Sequence, residues 1–551
     1  MSVDLPWLWL ESEASAGDVR ASIRTTPAVK MNNFTATRFP ADGRLAMKSP
    51  NVSKNAHLHA DMSICPRRNP GHGPPPGAYY TPHWQRDMSQ NAPLSVPYLA
   101  MLSTETPNVS LVTMLEATDE PSVGSFVAEV LGDSGWEVES LRKRSSRLFP
   151  PDGYWAMYEV AVRKDADERS LRLVARGAFD RRAWDELAAN LERQTAGRCD
   201  PINGVGYPRL FYESQHAFWF YPFDPSMPGL PSAADPPTVN RILLGLEDGA
   251  ALPMDVDPQL EIERVRYTPE VGAILRYTLS TSAGPITIYG KVQPGHRGLR
   301  AQRIVEGLWR ASENRPEGLL RLPRPLGWVE RYGLLLEEAI PGEPVGSDRL
   351  SPEFQNAAVA AAEALAVVHE SAVETDVEIS LERELDRLER VSEQFAYVHP
   401  EGHFLLSDLT THLRNRSRIA MNEEWLPTHG DLKYDQFMHH EGNFTLIDFD
   451  YYAVAETSYD LGKYCGYIVP SAPGGWEDTV AAEETRARFL RRYLELRPHA
   501  TIDRFPIYEA LTLGLRAMTF MWGNRSGWRR TAETFLVMAH ERLYSRLIDT
   551  I

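Results

Sequence analysis

The chain has 551 residues, with 58 Lys and Arg against 75 Asp and Glu, so its formal net charge is −17. Hydrophobic residues make up 43% and charged residues 24%, which are ordinary values for a globular protein and exclude a collagen-like or wholly disordered chain. A net negative chain is a poor match for nucleic acid, whose phosphates bind clustered cations. No apolar run reaches the roughly 18–20 residues that span a bilayer. We therefore expect neither a nucleic-acid nor a membrane partner.

The three cysteines, Cys65, Cys199 and Cys465, are far apart in the sequence. Their odd number and wide spacing predict neither a disulfide framework nor a zinc site. This usage is typical of a reducing compartment, so we expect a cytoplasmic protein. Nothing in the sequence specifies an oligomeric state.

Residues 1–100 differ from the rest of the chain. They carry 10 basic and 7 acidic residues, a net charge of +3, which leaves −20 on residues 101–551. They show no sustained helical or strand period, and eight prolines lie between residues 66 and 97. Two interpretations remain: a disordered leader, because such a segment buries too little apolar surface to offset its ordering entropy, or a chain whose translation begins at Met101.

From about residue 120 the sequence twice shows three strand-like stretches, a helix and a further apolar strand. Each third strand carries a basic residue, Arg176 in the first copy and Lys291 in the second. This layout indicates a duplicated sheet-and-helix lobe, although coincidence between two α+β segments is the alternative. The strands are predicted at 137–142, 154–163 and 171–176, then at 260–267, 273–280 and 286–293, and the helices at 181–194 and 298–312.

The remainder of the chain reads as mainly helical. Residues 352–396 are rich in apolar residues at helical spacing, and Ser351-Pro352 fits an N-cap followed by proline in the first turn. Further helices are predicted at 404–420, 480–497 and 504–549, the last broken near 523–527.

The segment with the clearest chemistry runs from residue 427 to residue 462. His429-Gly430-Asp431 is followed five residues later by Gln436, and an apolar strand then ends at Asp448. A hairpin between the two acidic positions would bring them together. Phosphoryl transfer requires such groups, because one carboxylate orients the acceptor hydroxyl while a second carboxylate and a neutral oxygen ligand hold Mg²⁺.

This ordered set resembles the signature of the aminoglycoside phosphotransferase and choline kinase superfamily, which are protein-kinase-like phosphotransferases of small molecules. The resemblance covers about residues 255–551. It implies ATP or GTP as the phosphate donor, Mg²⁺ as the cofactor and a small-molecule acceptor such as an aminoglycoside, a sugar or an amino alcohol. The matching residues are His429-Gly430-Asp431, Ile447-Asp448-Phe449 and Tyr459-Asp460-Leu461-Gly462.

The resemblance implies a role for each matching residue in the catalytic segment. Asp431 corresponds to the catalytic aspartate, His429 to a residue that fixes the loop, and Lys433 to a lysine that meets the transferred phosphate. Asp448 corresponds to a Mg²⁺ ligand. Gln436 stands where the family usually has the Mg²⁺-binding asparagine, a departure that keeps the amide oxygen on a longer side chain.

Asp460 is assigned by the same resemblance, whereas Asp450, His439 and His440 are interpreted from their positions in the sequence. Asp460 corresponds to a buried aspartate that ties the catalytic loop to the following helix. Asp450 is open to two interpretations, a second metal ligand or an exposed aspartate at a strand end. His439 and His440 are interpreted as solvated residues beside a turn.

The resemblance also implies a nucleotide lobe. Lys291 would hold the nucleotide phosphates, and Glu306, 15 residues later on a helix, would orient that lysine. Backbone groups of Glu337, Glu338 and Ala339 would meet the nucleotide base. A glycine-rich G-x-G-x-x-G loop is missing from the first turn, which argues against a protein kinase.

The resemblance implies a fold class and a domain division. We expect an α+β bilobal protein-kinase-like fold, with a small antiparallel-sheet N-lobe and a mainly helical C-lobe, preceded by a degenerate N-lobe-like α+β domain. In that first copy Arg176 stands where Lys291 stands in the second, and no catalytic motif follows. The predicted divisions are 1–100 (leader), 101–250 (degenerate cap domain), 251–342 (nucleotide-binding N-lobe) and 343–551 (helical C-lobe).

The acceptor is expected between the catalytic loop and the C-terminal helices. The acidic chain as a whole argues against a polyanionic acceptor and leaves a cationic or neutral one. Candidate contacts, with ordinary helix packing as the alternative, are Tyr508, Arg516, Trp522, Arg525 and Trp528.

Two functions follow from these features. The first is an ATP- and Mg²⁺-dependent O-phosphotransferase acting on a small hydroxylated molecule. The second is a catalytically weak or inactive pseudokinase that serves as a nucleotide-binding or interaction module. The Gln436 departure, the degenerate first copy and the missing glycine loop favour the second function, whereas the retention of both Asp431 and Asp448 favours the first.

Overall fold

The computed structural model describes residues 119–132, 135–150, 152–195, 208–245, 259–281, 284–312, 318–419, 421–470, 476–523 and 527–545. The two interpretations of residues 1–100, including a start at Met101, lie outside these ranges. Over the described part of the chain, we find no helix whose length and apolar character would suffice to cross a membrane.

The first described region is an antiparallel sheet of five strands with flanking helices. The strand order across the sheet is β1-β2-β3-β5-β4, and α2 follows the third strand. The bounds are α1 (Glu120–Gly132), β1 (Glu137–Phe149), β2 (Gly153–Lys164), β3 (Asp167–Ala178), α2 (Arg181–Thr195), β4 (Arg209–Phe211), β5 (His216–Phe220), α3 (Leu230–Ala233) and α4 (Pro236–Leu243).

The second region repeats this topology. Its strand order is β6-β7-β8-β10-β9, and again a helix follows the third strand. The layout predicted from the sequence is therefore confirmed, and each copy has one further strand, which lies between the helix and the predicted fourth strand. The bounds are β6 (Gln259–Thr268), β7 (Gly272–Thr281), β8 (Gly284–Val292), α5 (Arg297–Ser312), β9 (Pro325–Val329) and β10 (Leu334–Glu338).

The remaining region is mainly helical, with short strands around the catalytic segment. The bounds are β11 (Glu343–Pro344), α6 (Pro352–His369), β12 (Glu378–Ile379), α7 (Leu381–Val398), α8 (Pro400–Ser417), β13 (Trp425–Thr428), β14 (Phe437–His440), β15 (Asn443–Leu446), β16 (Ala453–Glu456), α9 (Ser458–Ile468), α10 (Trp476–Leu496), α11 (Phe505–Gly523) and α12 (Trp528–Tyr544).

Local chemistry explains where these helices begin. Ser351 caps α6 by accepting a hydrogen bond from the Phe354 amide at 3.1 Å, with Pro352 in the first turn. Ser380 caps α7 in the same way, through the Arg383 amide. This second cap and strand β12 divide the helical stretch predicted at 352–396 into two helices.

The predicted α+β bilobal fold is confirmed.

The first sheet contributes side chains to two hydrophobic cores. Alternate residues of a strand point to opposite faces of a sheet. Tyr154, Ala156 and Tyr158 belong to a core shared with buried residues of α7 and α11. Trp155 and Met157 belong to a second core shared with buried residues of the second sheet. The first sheet therefore packs against both the second sheet and the helical lobe.

Candidate active site

The catalytic loop after β13 is held by one buried carboxylate. Asp460, in the first turn of α9, accepts hydrogen bonds from the Thr428 hydroxyl at 2.5 Å, the His429 amide at 2.7 Å and the Gly430 amide at 3.1 Å. Its side chain is fully buried. A carboxylate that accepts several donors inside the protein fixes the backbone that supplies them.

Two residues set the course of the loop. Gly430 has φ +82°, and a Cβ atom there would lie 1.9 Å from the Tyr451 carbonyl oxygen, so this position requires glycine. The His429 ring contacts backbone groups on both sides, with Nδ1 3.3 Å from the Asp431 amide and Nε2 3.1 Å from the Ile447 carbonyl. Burial lowers the pKa of His429 below its ordinary value, so a neutral ring donates through Nε2 and accepts through Nδ1.

Asp431 lies at the centre of a cationic cluster. One carboxylate oxygen, Oδ2, lies 2.9 Å from the Lys433 ammonium, and the other, Oδ1, lies 3.0 Å from the Lys463 ammonium. Burial would raise the pKa of Asp431, but the two lysines hold it below its ordinary value. The group is therefore an ionised carboxylate at neutral pH and accepts hydrogen bonds.

Asp448 and Lys291 meet although 157 residues separate them in the chain. The Lys291 ammonium, on β8, lies 2.6 Å from the Asp448 carboxylate and 2.6 Å from that of Asp450. Asp448 has φ +71°, a left-handed backbone conformation that is uncommon outside glycine. Burial would raise the pKa of Asp448, but Lys291 holds it well below its ordinary value.

Asp450 is buried, so the alternative of an exposed aspartate at a strand end is wrong. Its Oδ2 accepts a short hydrogen bond from Gln293, at 2.5 Å, and its backbone carbonyl accepts one from Arg300. Burial raises the pKa of Asp450 to about 6, and the negative charge of Asp448 adds to this. Among the described residues, no hydrogen-bond partner is found for the other oxygen, Oδ1.

Gln436 lies between the two acidic positions. Its side-chain amide nitrogen is 3.4 Å from the Asp431 carboxylate and 3.5 Å from that of Asp448. The side chain is buried, in a short 3₁₀ turn that follows Lys433. The predicted hairpin of β14 and β15 forms, and it brings Asp431, Gln436 and Asp448 together as the sequence suggested.

The structure corrects the prediction for Glu306. On α5 its carboxylate accepts a hydrogen bond from Gln302 at 2.8 Å and lies 3.8 Å from Arg310, and its side chain is 40% exposed. The buried face of α5 instead carries small and aliphatic residues such as Ala301 and Ile304. Glu306 therefore pairs along its own helix, and the predicted pairing with Lys291 is not seen among the described contacts of this helix.

A different carboxylate lies near Lys291. Glu337 on β10 is two residues beyond Leu335, which pairs directly with Lys291, so both charged side chains lie on the same face of the sheet. Burial raises the pKa of Glu337 to about 7, despite the attraction of Lys291. Glu338 ends the strand with its amide bonded to the Arg324 carbonyl, and Ala339 follows, partly buried, in the predicted hinge.

A cleft opens beside Asp431, on the side of α7, α9 and α11. It is open to solvent and has a cavity volume of about 30 Å³. The residues that line it with Asp431 are Glu384, Arg387, Tyr459, Lys463, Tyr467, Leu511, Thr512, Leu515, Thr519 and Trp522. The cleft beside the catalytic loop is therefore lined by both apolar and charged side chains, as many small-molecule binding sites are.

Comparison with known families now decides the class. Residues 308–503 match the model of the phosphotransferase enzyme family. This part of the chain is similar to that family. The match includes the catalytic loop, Asp448 and Asp460, whereas Lys291 lies before it. The expected superfamily and the expected enzyme class, a phosphotransferase with an alcohol group as acceptor, are confirmed.

Several solved structures are similar to this phosphotransferase over about half of the chain. A choline/ethanolamine kinase family protein from Mesorhizobium loti is 13% identical, with 53% of this chain and 90% of that chain covered and a TM-score of 0.37. An aminoglycoside phosphotransferase from Streptomyces rimosus is 20% identical, with 52% and 99% covered and a TM-score of 0.34. Among curated proteins, none matches the sequence significantly.

The candidate acceptor residues of the phosphotransferase divide into two groups. Trp522 lines the cleft. Tyr508 is buried and donates to Glu456, Arg516 is buried and donates to backbone carbonyls of Gly466 and Val469, and Trp528 packs edge-on against Phe395. Three of the five therefore follow the alternative of helix packing, and Arg525 lies outside the described residues.

The structure also adds Lys463, which sequence reasoning missed. Its ammonium bonds to the Gly430 carbonyl at 2.7 Å as well as to Asp431. Lys463 lies three residues after Asp460 on α9, so the two side chains share one face of the helix. The three-residue spacing from Asp460 was the signal in the sequence that could have identified Lys463.

Proposed function

We propose that this phosphotransferase transfers the terminal phosphate of ATP or GTP, with Mg²⁺, to a hydroxyl group of a small molecule. One observation carries the proposal. Lys291 from the second sheet meets Asp448 from the helical lobe, while Asp431, on the other side of Gln436, borders an open cleft. Nucleotide phosphates and an acceptor hydroxyl would meet across this line of side chains.

The residues present suit a hard divalent cation with oxygen ligands. Asp448 and Asp450 are carboxylates 2.6 Å from the same ammonium group, and Asp450 Oδ1 is buried without a partner among the described residues. Such a surplus of buried carboxylate oxygen is what Mg²⁺ prefers. Asp448 and Gln436 would hold the ion, with the Gln436 amide turned so that its oxygen faces it. When bound, the ion would neutralise charge on the phosphates.

Asp431 would orient the acceptor hydroxyl. The hydroxyl oxygen forms a bond to the terminal phosphorus while the bond from that phosphorus to the bridging oxygen breaks. The nucleoside diphosphate leaves with that electron pair, and the hydroxyl proton passes to Asp431 and then to solvent. Lys433 and Lys463 keep Asp431 ionised before the transfer, and Lys433 would meet the transferred phosphate.

The other residues would position these groups. Lys291 would hold the nucleotide phosphates, and the backbone of Glu337, Glu338 and Ala339 would meet the base. His429 and Asp460 would act through the loop backbone, because their polar atoms bond to it. Positioning and charge neutralisation would then supply most of the rate.

The substitution Asp431→Asn tests the proposal. Turnover, measured as nucleoside diphosphate release with a panel of sugars, amino alcohols and aminoglycosides, is expected to fall about 10³-fold because the carboxylate base is lost. The dissociation constant for Mg-nucleotide is expected to stay within about threefold. Asp503→Asn, at an exposed site of the same lobe, is the matched control.

Two outcomes would contradict the proposal. Turnover in Asp431→Asn above about one tenth of the wild-type rate would remove Asp431 from the chemistry. Tight Mg-nucleotide binding by the wild-type protein, with no consumption for any acceptor, would support the pseudokinase alternative instead.

A further inference from the structure

Two histidines and one aspartate meet where α8 packs against α12, outside the catalytic segment. Asp408 and His412 are four residues apart on α8, so both side chains lie on one face of that helix. His540 reaches the same point from α12. One nitrogen of each ring and one carboxylate oxygen lie within 4.8 Å of one another. Three groups that commonly bind metal ions therefore surround one point.

Apolar packing between the two helices fixes the backbone beneath this cluster. Leu409 and Leu413, each next to a member of the cluster on α8, are buried in the same core as Ala539 and Leu543 of α12. Side chains that project from packed helices are positioned more precisely than side chains on loops. The three polar groups are therefore brought together by the fold and not by a flexible segment.

The Asp408 carboxylate lies between the two rings without a short hydrogen bond to either. Its Oδ2 is 3.6 Å from His540 Nε2 and 3.4 Å from His412 Nδ1. Hydrogen bonds that involve nitrogen donors are typically about 2.7–3.2 Å long. Ligands of a tetrahedral zinc ion lie about 3.3–3.5 Å apart, because each is about 2.0–2.2 Å from the metal. The separation of Asp408 Oδ2 and His540 Nε2 is thus close to that of two ligands on one ion.

The other contacts of the two rings are compatible with metal binding. His412 Nδ1 donates to the Asp408 carbonyl at 2.9 Å, which leaves the lone pair of a neutral ring on Nε2. Histidines that bind metals commonly donate one ring N–H to a carbonyl or carboxylate while the other nitrogen binds the ion. His540 Nε2 lies 3.5 Å from the Leu405 carbonyl, which is long for a hydrogen bond. A metal ion would therefore compete with no strong bond at His540, and His412 would offer Nε2 after rotation of its side chain.

We propose that Asp408, His412 and His540 bind a divalent transition metal ion of the Zn²⁺ type, which links α12 to α8. Two imidazoles favour such an ion over Mg²⁺ and Ca²⁺, which take oxygen ligands. Three protein ligands leave a fourth tetrahedral position to water. The Asp408 side chain is 47% exposed, so water reaches the site.

The position of the cluster gives the ion a structural role. Phe535 of α12 packs on Phe520 of α11, with ring centroids 5.0 Å apart. Residues of α11 such as Thr519 and Trp522 line the acceptor cleft. An ion that ties α12 to α8 would thus stabilise the helix behind this wall of the cleft. The proposal does not depend on the phosphotransfer step.

Calorimetric titration of the chelator-treated full chain with Zn²⁺, in excess Mg²⁺, tests the site. Because the chain has 15 histidines, the measurement is the difference between the wild type and each variant. The wild type is expected to bind one Zn²⁺ that His540→Gln, His412→Gln and Asp408→Asn each bind at least about tenfold more weakly, because a lost ligand costs at least as much as a lost outer-shell partner. His499→Gln, at an exposed position of the same lobe, is the matched control.

A further variant separates this site from the catalytic centre. Asp448→Ala removes the carboxylate proposed to hold Mg²⁺, and it should keep the Zn²⁺ that the His540→Gln variant loses. Equal Zn²⁺ binding by the wild type and the three cluster variants would overturn the proposal. Loss of the same Zn²⁺ in Asp448→Ala would also overturn it, because the ion would then belong to the catalytic centre.

Thermal unfolding tests the link between the helices. Zn²⁺ should raise the unfolding midpoint of the wild type and of His499→Gln more than that of the cluster variants, because a ligand that binds the folded state stabilises it. Substitution with Co²⁺ should add visible absorption bands typical of four-coordinate cobalt, which the variants should lack. The three side chains are exposed or half-buried, so each variant is expected to fold, and any one that does not is replaced by the other two. An equal rise of the midpoint in wild type and variants would contradict the link.

Discussion

The two five-stranded sheets share their strand order and place a cation at the same position. Arg176 pairs across the first sheet with Trp155 and Ala217. Lys291 pairs across the second with Ile274 and Leu335. In each sheet the cation therefore lies on the third strand, close to its end, between the second strand and the one that returns beside it.

The partners of these two cations differ. Lys291 faces Asp448 and Asp450, which follow the catalytic hairpin of the helical lobe. Arg176 lies 3.3 Å from the Glu270 carboxylate and donates to the carbonyls of Tyr154 and Gly177. A sheet position thus supplies a cation, but function depends on which carboxylates the rest of the chain brings opposite it.

The first sheet supports the second at the turn between β6 and β7. Asp224, after β5, accepts hydrogen bonds from the Tyr267 hydroxyl at 2.8 Å and from the Glu270 amide at 2.9 Å. Trp219 donates to the same tyrosine. These contacts let the first sheet hold the turn between β6 and β7 in place.

Replacing each cation with methionine should produce the largest functional difference between the two sheets. Lys291→Met is expected to lower kcat/KM for nucleotide about 100-fold or more, because it removes the contact proposed for the phosphates. Arg176→Met should stay within about threefold and should cost about 1–2 kcal/mol of stability through its lost ion pair and hydrogen bonds. Steady-state kinetics and thermal unfolding measure the two effects. Similar kinetic losses in both variants would contradict a non-catalytic first sheet.

Asp224 should give the first sheet a measurable pH dependence. Burial raises the pKa of Asp224 to about 6 in the folded protein, against about 3.9 in the unfolded chain. The stability that its proton confers is therefore complete below about pH 4 and is lost as pH rises through 6, by about 3 kcal/mol in all. The unfolding midpoint of the wild type, measured relative to that of Asp224→Asn, should therefore decrease as the pH rises from 4 to 7.

The control for this effect is Asp185→Asn, at an exposed position of α2. Its midpoint should follow the wild type at every pH. A difference between wild type and Asp224→Asn that stays constant from pH 4 to pH 7 would show that Asp224 is not the titrating group.

The smallest effect is expected at Glu306. Because its carboxylate contacts Gln302 and Arg310 on its own helix, Glu306→Gln should leave kcat/KM for nucleotide within about threefold. Glu337→Gln, near Lys291 on the same sheet face, should change it more. A loss above about tenfold in Glu306→Gln would restore the pairing that the sequence predicted.

Most of what could be predicted from the sequence came from residue patterns within single elements and from the order of the motifs. Alternating residues of β2 and the capped start of α6 are short-range signals, and the fixed spacing from His429 to Asp460 places several groups on one loop. The hairpin that joins Asp431 to Asp448 follows from the turn at Glu441-Gly442-Asn443. These features depend on neighbours in the chain, which is why the sequence reveals them.

The remaining features depend on tertiary packing. The contact of Asp450 with Lys291, the outward position of Glu306 and the burial of Tyr508 are fixed by elements far apart in the chain. Arg147 is the extreme case, because a basic residue in a half-exposed strand looks like a surface charge until the first sheet packs against α11. Sequence periodicity reports one element at a time and cannot show such contacts.

Calorimetric titration of the full chain with a non-hydrolysable Mg-ATP analogue tests the central claim most directly. We expect one nucleotide per chain for the wild type, loss of that binding in Lys291→Met, and an unchanged single site in Arg176→Met. Two nucleotides per chain, or one that remains tightly bound in Lys291→Met and is lost in Arg176→Met, would contradict the assignment of the second sheet as the nucleotide lobe.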